Sequence, residues 1–161
     1  MKKQKIIILF ILMTMIALGT GQDTLTNCPI QIAAGYFHSI ALMSDGTVHA
    51  WGYNRWGQLG NNSDVDSPVP VQVRGPAGTE FLTDIIAIAG GVDHTIALKS
   101  DGTVYTWGYN GYGQLGNNST DSCSFIPVQV HGPAGTDFLT DIISIAGGGL
   151  HTIALKADGT V

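Results

Sequence analysis

One stretch of this chain is written almost three times. His94 to Val104 reads HTIALKSDGTV and His151 to Val161 reads HTIALKADGTV, identical at ten of eleven positions. His38 to Val48 differs from the third copy at three positions. The neighbouring segments repeat as well: Trp51 to Ser63 returns as Trp107 to Ser119. Pro70 to Asp84 returns as Pro127 to Asp141, changed only at Arg74/His131 and Glu80/Asp137. The spacing is 56 residues from His38 to His94 and 57 from His94 to His151, the extra residue falling in the loop that holds Cys123. A period of this length means a solenoid, propeller or array, whose units cannot each bury an apolar face alone.

Within one period the runs are strand-like. Asp84 to Ala89 is apolar and stops at Gly90-Gly91. His94 to Lys99 and Thr103 to Trp107 are rich in β-branched and aromatic residues, and Asp101-Gly102 between them is a hairpin signal. The fourth run, Pro127 to Val130, is short and headed by Pro, as an edge strand tolerates. Thr79 to Thr83 is the one candidate for a helical turn. Ile86, Ile88, Ile96, Leu98, Val104 and Trp107 are expected to pack between units. Four short strands per period predict an all-β chain of four-stranded antiparallel propeller blades. The expected layout is blade 1 over 30–84, blade 2 over 85–141 and the start of a third over 142–161, an incomplete ring. Gly is 22 of 161 residues, about twice the usual share, and only 12% of residues are charged, which excludes a coiled coil or a charge-rich disordered chain.

Residues 1–19 read as a separate object. Met1 to Lys5 is basic, Ile6 to Leu18 is apolar apart from Thr14, and Ala17-Leu18-Gly19 supplies small residues for cleavage. This is the pattern of a secretory signal peptide, with 20–29 as a linker behind it. A thirteen-residue run is short for a membrane span. Cleavage is expected after Gly19 or Gly21, making the protein secreted or held at the cell surface. Losing Lys2, Lys3 and Lys5 takes the formal net charge from −5 to −8. That balance argues against nucleic acid and anionic lipid and favours cations or basic partners.

These residues resemble the regulator of chromosome condensation repeat family. The resemblance rests on the Gly-x-x-His-Ser/Thr-x-Ala-Leu runs at Gly35, Gly91 and Gly148, and on the Asp-Gly turns at Asp45, Asp101 and Asp158. It rests equally on Trp51-Gly52, Trp107-Gly108 and the Gly-Gln-Leu-Gly loops at Gly57 and Gly113. It covers residues 30 to 161 and implies a seven-bladed propeller. The long connector from Arg74 to Asp84 is similar to those of large bacterial secreted members. Two blades and the start of a third imply a piece of a longer exported protein, and a ring left incomplete is expected to self-associate. The resemblance implies a protein-binding scaffold, since some exported relatives bind proteins, one kind inhibiting β-lactamases. The founding member's guanine-nucleotide exchange on a small GTPase is an alternative that the signal peptide disfavours, and a carbohydrate-binding cell-surface module is another.

No catalytic set, cofactor motif or metal signature is present. His38, His94 and His151 recur once per unit, which separates them along an arc and reads as buried groups bonding the blade backbone; His49 and His131 read as surface residues. Asp45, Asp101 and Asp158 read as turn residues that tolerate positive φ and bond the turn backbone. Asn61 to Asp66 has oxygens at calcium-like spacing but lacks the Gly and terminal Glu of a calcium loop. Trp51 and Trp107 sit at core positions, leaving Trp56 and Tyr112 as the candidate ligand-contacting residues. Cys28 and Cys123 are open to pairing if their Cα atoms come within about 7 Å.

Overall fold

The computed structural model of the chain describes residues 27–161; the signal-peptide reading lies outside the described residues. Ten strands follow in order: β1 (Pro29–Ala34), β2 (His38–Met43), β3 (Val48–Gly52), β4 (Ser67–Gln72), β5 (Ile85–Gly90), β6 (His94–Lys99), β7 (Val104–Tyr109), β8 (Cys123–Gln129), β9 (Ile142–Gly147) and β10 (Thr152–Lys156). They form two four-stranded antiparallel sheets, β1-β2-β3-β4 and β5-β6-β7-β8, and a two-stranded sheet of β9 and β10. Among the described residues there is no helix.

The hairpin turns have one construction. Gly46 and Gly102 take φ of 79° and 81°, the left-handed conformation that a side chain resists. The preceding Asp is not itself at positive φ, contrary to the sequence reading. Its carboxylate does bond the turn backbone: Thr47 N donates to Asp45 Oδ1 at 3.0 Å, and Thr47 Oγ1 donates to the same oxygen at 2.6 Å. These bonds hold the Asp45, Asp101 and Asp158 carboxyls below the usual carboxylate range.

Two cores lie between sheets rather than within them. Ile40, Leu42, Val48, Leu59 and Val73 of the first sheet's side meet Ile88, Ala97 and Trp107 of the second. Ile96, Leu98, Val104 and Val130 meet Ile142, Ile145 and Ala154 of the third unit. Each fully buried aliphatic or aromatic side chain stabilises such a contact by about 1.5–3 kcal/mol. The second sheet is therefore covered on both faces. The first has no neighbour on its other face among the described residues, and equivalent residues fare differently as a result. Ile32 is 77% exposed where Ile88 is 3%, and Trp51 is only half-buried where Trp107 is fully buried.

Polar contacts tie the units together. Tyr36 N donates to Val92 O and Val92 N to Gly149 O, both at 3.0 Å. Gln31 pairs with the Ile88 backbone through Oε1 at 3.0 Å and Nε2 at 3.1 Å. The first strands approach so closely that a Cβ on Gly90 would stand 2.4 Å from Ala34 O.

Three local expectations need correction. Ile86 is 56% exposed, because a bulge between Ile85 and Ala87 turns it out of the ladder; Ile30 and Ile143 are exposed at equivalent positions. Thr79 to Thr83 is not a helical turn. The connector closes on an isolated bridge between Arg74 and Phe81, with Gly75 N donating to Glu80 O at 2.7 Å, and it inserts Leu82 into the first core. Strand β8 starts at Cys123, not Pro127, and Pro127 is accommodated where the ladder skips between Thr106 and Gly108 on the edge of the sheet.

Candidate functional site

Antiparallel order sends the loops to two ends of the stack. The Asp-Gly hairpins and the connectors 73–84 and 130–141 lie at one end. At the other lie 35–37, 53–66, 91–93, 110–122 and 148–151. The second end holds Tyr36, Phe37, Tyr53, Trp56, Tyr109 and Tyr112, while Phe81 and Phe138 lie at the first.

A buried amide shapes each long loop there. Asn54, with no exposed surface, donates through Nδ2 to Ser63 O at 2.8 Å and accepts from Leu59 N at 2.9 Å. Its backbone N donates to Asp66 Oδ1 at 2.8 Å, and Asn61 Oδ1 accepts from its side chain at 3.1 Å. Of the oxygens read as calcium-like, those of Asn61 and Asp66 are thus turned inward onto Asn54. Asn110 repeats the arrangement in the second sheet, accepting from Leu115 N at 3.1 Å and donating to Asp121 O at 2.9 Å.

So held, the loops present Tyr36, Phe37, Tyr53, Trp56, Tyr109 and Tyr112 on one end. Tyr36 and Phe37 meet edge-on at 4.4 Å between ring centroids, and Phe37 lies 6.0 Å from Tyr53. Trp56 crosses to the next sheet to contact Tyr109 at 4.9 Å, and Tyr109 lies 6.1 Å from Tyr112. The structure thus brings the two candidate residues to a common ring. Tyr112 and Tyr36 are each 70% exposed, whereas Trp56 is half-buried. Between the two sheets opens a cleft of about 660 Å³, lined by Tyr53, Arg55, Trp56, Asp64, Cys123 and Phe125.

Sequence reasoning missed Tyr36, Phe37, Tyr53 and Tyr109. Tyr53 and Tyr109 directly follow Trp-Gly and were absorbed in the repeat. Phe37 carried a signal, since its equivalents are Asp93 and Leu150, a position that varies inside an otherwise constant segment.

Two of the three recurrent histidines serve the stack, though their hydrogen-bonded partner is a threonine of the next unit; His151, read as buried, is exposed. His38 Nε2 lies 2.9 Å from Thr95 Oγ1 of the next unit, and His94 Nε2 lies 3.2 Å from Thr152 Oγ1. Thr95 Oγ1 itself donates to Gln58 O at 2.8 Å, so it accepts from the His38 ring, which must carry its proton on Nε2. Nδ1 of both rings is buried without a partner, packed against Gly35 and Gly91. Burial foremost pulls each imidazole down to about 4; the charge of the next histidine adds to the shift, and at His94 the His151 backbone opposes it. His49 and His131 are half-buried rather than on the open surface. Cys28 and Cys123 are both free thiols. Among the described residues no three His, Cys, Asp or Glu side chains converge as a metal site would require.

The family described as "Regulator of chromosome condensation (RCC1) repeat" matches residues 45–98 and 101–155, and a second pattern of the same description matches 30–58 and 85–114. The ultraviolet-B receptor UVR8 of Arabidopsis thaliana is 33% identical over 153 residues, covering 89% of this chain and 33% of that protein. The human probable E3 ubiquitin-protein ligase HERC4 is 44% identical over 91 residues, 56% of this chain and 8% of its own. Among solved structures, human WBSCR16 superposes with a TM-score of 0.69 at 24% identity, covering 83% of this chain and 32% of its own. Prp20p of Saccharomyces cerevisiae superposes at 0.67 with 21% identity, covering 80% and 31%. The chain spans a third or less of each of these proteins.

Proposed function

The chain belongs to the regulator of chromosome condensation (RCC1) repeat family, and from that premise we propose that it is an exported protein-binding scaffold, not an enzyme, which docks its partner on the aromatic end of the stack. The observation that carries the reading is two groups of three aromatic rings at one end of the stack, Tyr36–Phe37–Tyr53 and Trp56–Tyr109–Tyr112. Exposed tyrosines and tryptophans supply large contact area at little entropic cost, which is why they are enriched where proteins meet. Asp64, Asp66, Asp93 and Asp121 stand in the same loops, and the mature chain's acidity fits a partner that offers basic and apolar groups.

Two tests follow. Mass spectrometry of the protein made in its own cells is expected to find a mature N-terminus at Thr20 or Gln22; intact Met1 on intracellular material would contradict export. The double variant Trp56→Ala, Tyr112→Ala is expected to lose at least roughly a hundredfold in affinity for a captured cell-surface partner, since such anchors contribute about 2 kcal/mol or more each. Phe138→Ala at the opposite end is expected to change it little. Equal loss from Phe138→Ala, or none from the double variant, would place the docking surface elsewhere.

The exchange-factor alternative draws on Prp20p, a protein described with binding properties to Gsp1p and histones. At 21% identity that likeness carries the fold alone. The carbohydrate alternative needs a ring face free for stacking. Tyr112 has one, whereas Trp56 spends much of its surface on Tyr109.

A further inference from the structure

The two four-stranded units are near-duplicates, so the places where they differ mark what the shared fold does not dictate. At the connector end, 70–84 and 127–141 differ only at Arg74/His131 and Glu80/Asp137. At the aromatic end the units diverge. Arg55-Trp56 stands against Gly111-Tyr112, and the six residues Asp64 to Val69 stand against the seven from Thr120 to Ile126. Departures from both units meet in the cleft of about 660 Å³, which lies between two complete sheets. The first unit lines it with Arg55, Trp56, Asp64 and Val65, and the second with Phe125, which takes the place of Pro68. Phe125 ties the two units together there. Its carbonyl accepts from Asn62 N at 3.0 Å, and a Cβ on Gly57 would stand 2.5 Å from its Cδ1. Yet Phe125 remains 38% exposed and Val65 67% exposed.

Charge singles out Arg55. Beyond residues 1–19 the chain holds only Arg55, Arg74, Lys99 and Lys156 as cations. Three of them serve the connector end: Arg74 covers the Phe81 ring at 4.7 Å, Lys99 lies 3.7 Å from Asp84, and Lys156 borders the connector that holds Phe138. Arg55 is exposed at the aromatic end and makes no ion pair among the described residues, although Asp64 and Asp66 line the same cleft. Asp66 is already committed, since its Oδ1 accepts from Asn54 N at 2.8 Å. A guanidinium left unpaired beside apolar and aromatic side chains presents a flat fork of donors that matches a carboxylate.

We propose that this cleft selects the partner through one acidic side chain. Arg55 receives an Asp or Glu carboxylate of an extended partner segment, and the apolar residue beside that acid packs among Trp56, Val65 and Phe125. Asp64 and Asp66 repel a second carboxylate, so the segment that fits has a single acid among apolar and basic neighbours, not an acidic run. The inference rests on the docking surface proposed above and names the chemistry that surface recognises.

The probe is a library of random seven-residue peptides displayed on phage and selected on the full chain. An enriched peptide is then labelled with fluorescein and titrated by anisotropy. Enrichment of one Asp or Glu next to an aliphatic or aromatic residue is expected. Arg55→Gly, which installs the residue that the second unit carries at this place, is expected to weaken the labelled peptide roughly tenfold or more, the scale of a hydrogen bond to a charged group. Arg55→Glu is expected to turn the selection toward Lys or Arg at the same peptide position. Enrichment without an acid, or none, would overturn the inference. Peptides that tolerate Arg55→Gly but lose binding with the Trp56→Ala, Tyr112→Ala double variant would overturn the acidic selection and leave the aromatic docking surface standing. Peptides indifferent to both variants would count against both.

Discussion

Trp107→Ala is expected to destabilise the chain by about 3–5 kcal/mol, the range for deleting a buried aromatic side chain. Trp51→Ala, the same change at the equivalent position, is expected to cost well under half as much. Trp107 has no exposed surface and donates to Gln58 O, so its loss leaves a cavity in the first core and orphans one bond of the junction. Trp51 lies on the face that no described unit covers and keeps part of its surface in water. Against a total stability of roughly 5–15 kcal/mol, the first change removes a large share. Urea unfolding of the two variants reads the difference. Similar losses at the two positions would mean that the first sheet's outer face is covered after all. Trp107→Phe should fall between, retaining ring contacts without the donor.

The second large effect is with acid. His38 and His94 are neutral in the folded chain with values near 4, and return toward the ordinary 6.5 on unfolding. Between those values the unfolded chain takes up protons that the folded chain does not. Stability is therefore complete above about pH 6.5 and falls as pH drops toward 4, by up to roughly 3 kcal/mol for each histidine. The structural reason is visible at Nδ1: a proton there would face Gly35 or Gly91 with no acceptor. The turn carboxylates of Asp45, Asp101 and Asp158 are held low, so their contribution is lost only in the lower window beneath the ordinary carboxylate range. Asp93 is pushed up by burial and works in the opposite direction, easing the loss slightly. Thermal melts from pH 7 to pH 4 should show the decline, and the double variant His38→Gln, His94→Gln should flatten it. A flat profile in the parent chain would mean that these rings are solvated.

Most of the fold was legible because the repeat reports packing as well as strands. Residues that return at a spacing of 56 or 57 with β-branched and apolar character had to lie in equivalent places, and a sheet with two apolar faces had to lie between others. The errors occurred where equivalence in sequence is not equivalence in surroundings. Trp51 and Ile32 match Trp107 and Ile88 in type, yet burial depends on a neighbour that only the second sheet possesses on that side. Ile86 was misplaced because a bulge breaks the alternation that strand reading assumes. At the Asp-Gly turns the residue pair signalled the hairpin, but which partner carries the positive φ is a matter of geometry.

The candidate site was less legible. Trp56 and Tyr112 stood out as aromatics in a loop, but Tyr109, which connects them, looked like part of the repeat. Its role depends on the distance between neighbouring sheets, which spacing along the chain does not encode. The histidines show the same limit. Their recurrence announced a structural task, while the acceptor, a threonine hydroxyl of the next unit, emerged only with the stacking.

Stacking is the claim on which the rest depends, and native-state hydrogen exchange tests it directly. Amides of β6 and β7 should exchange most slowly, because their sheet alone among those described is covered on both faces. Those of β1, β9 and β10 should open earlier and at lower free energy. Equal protection in all ten strands, or the slowest exchange in β1, would contradict an arc of units that depend on their neighbours.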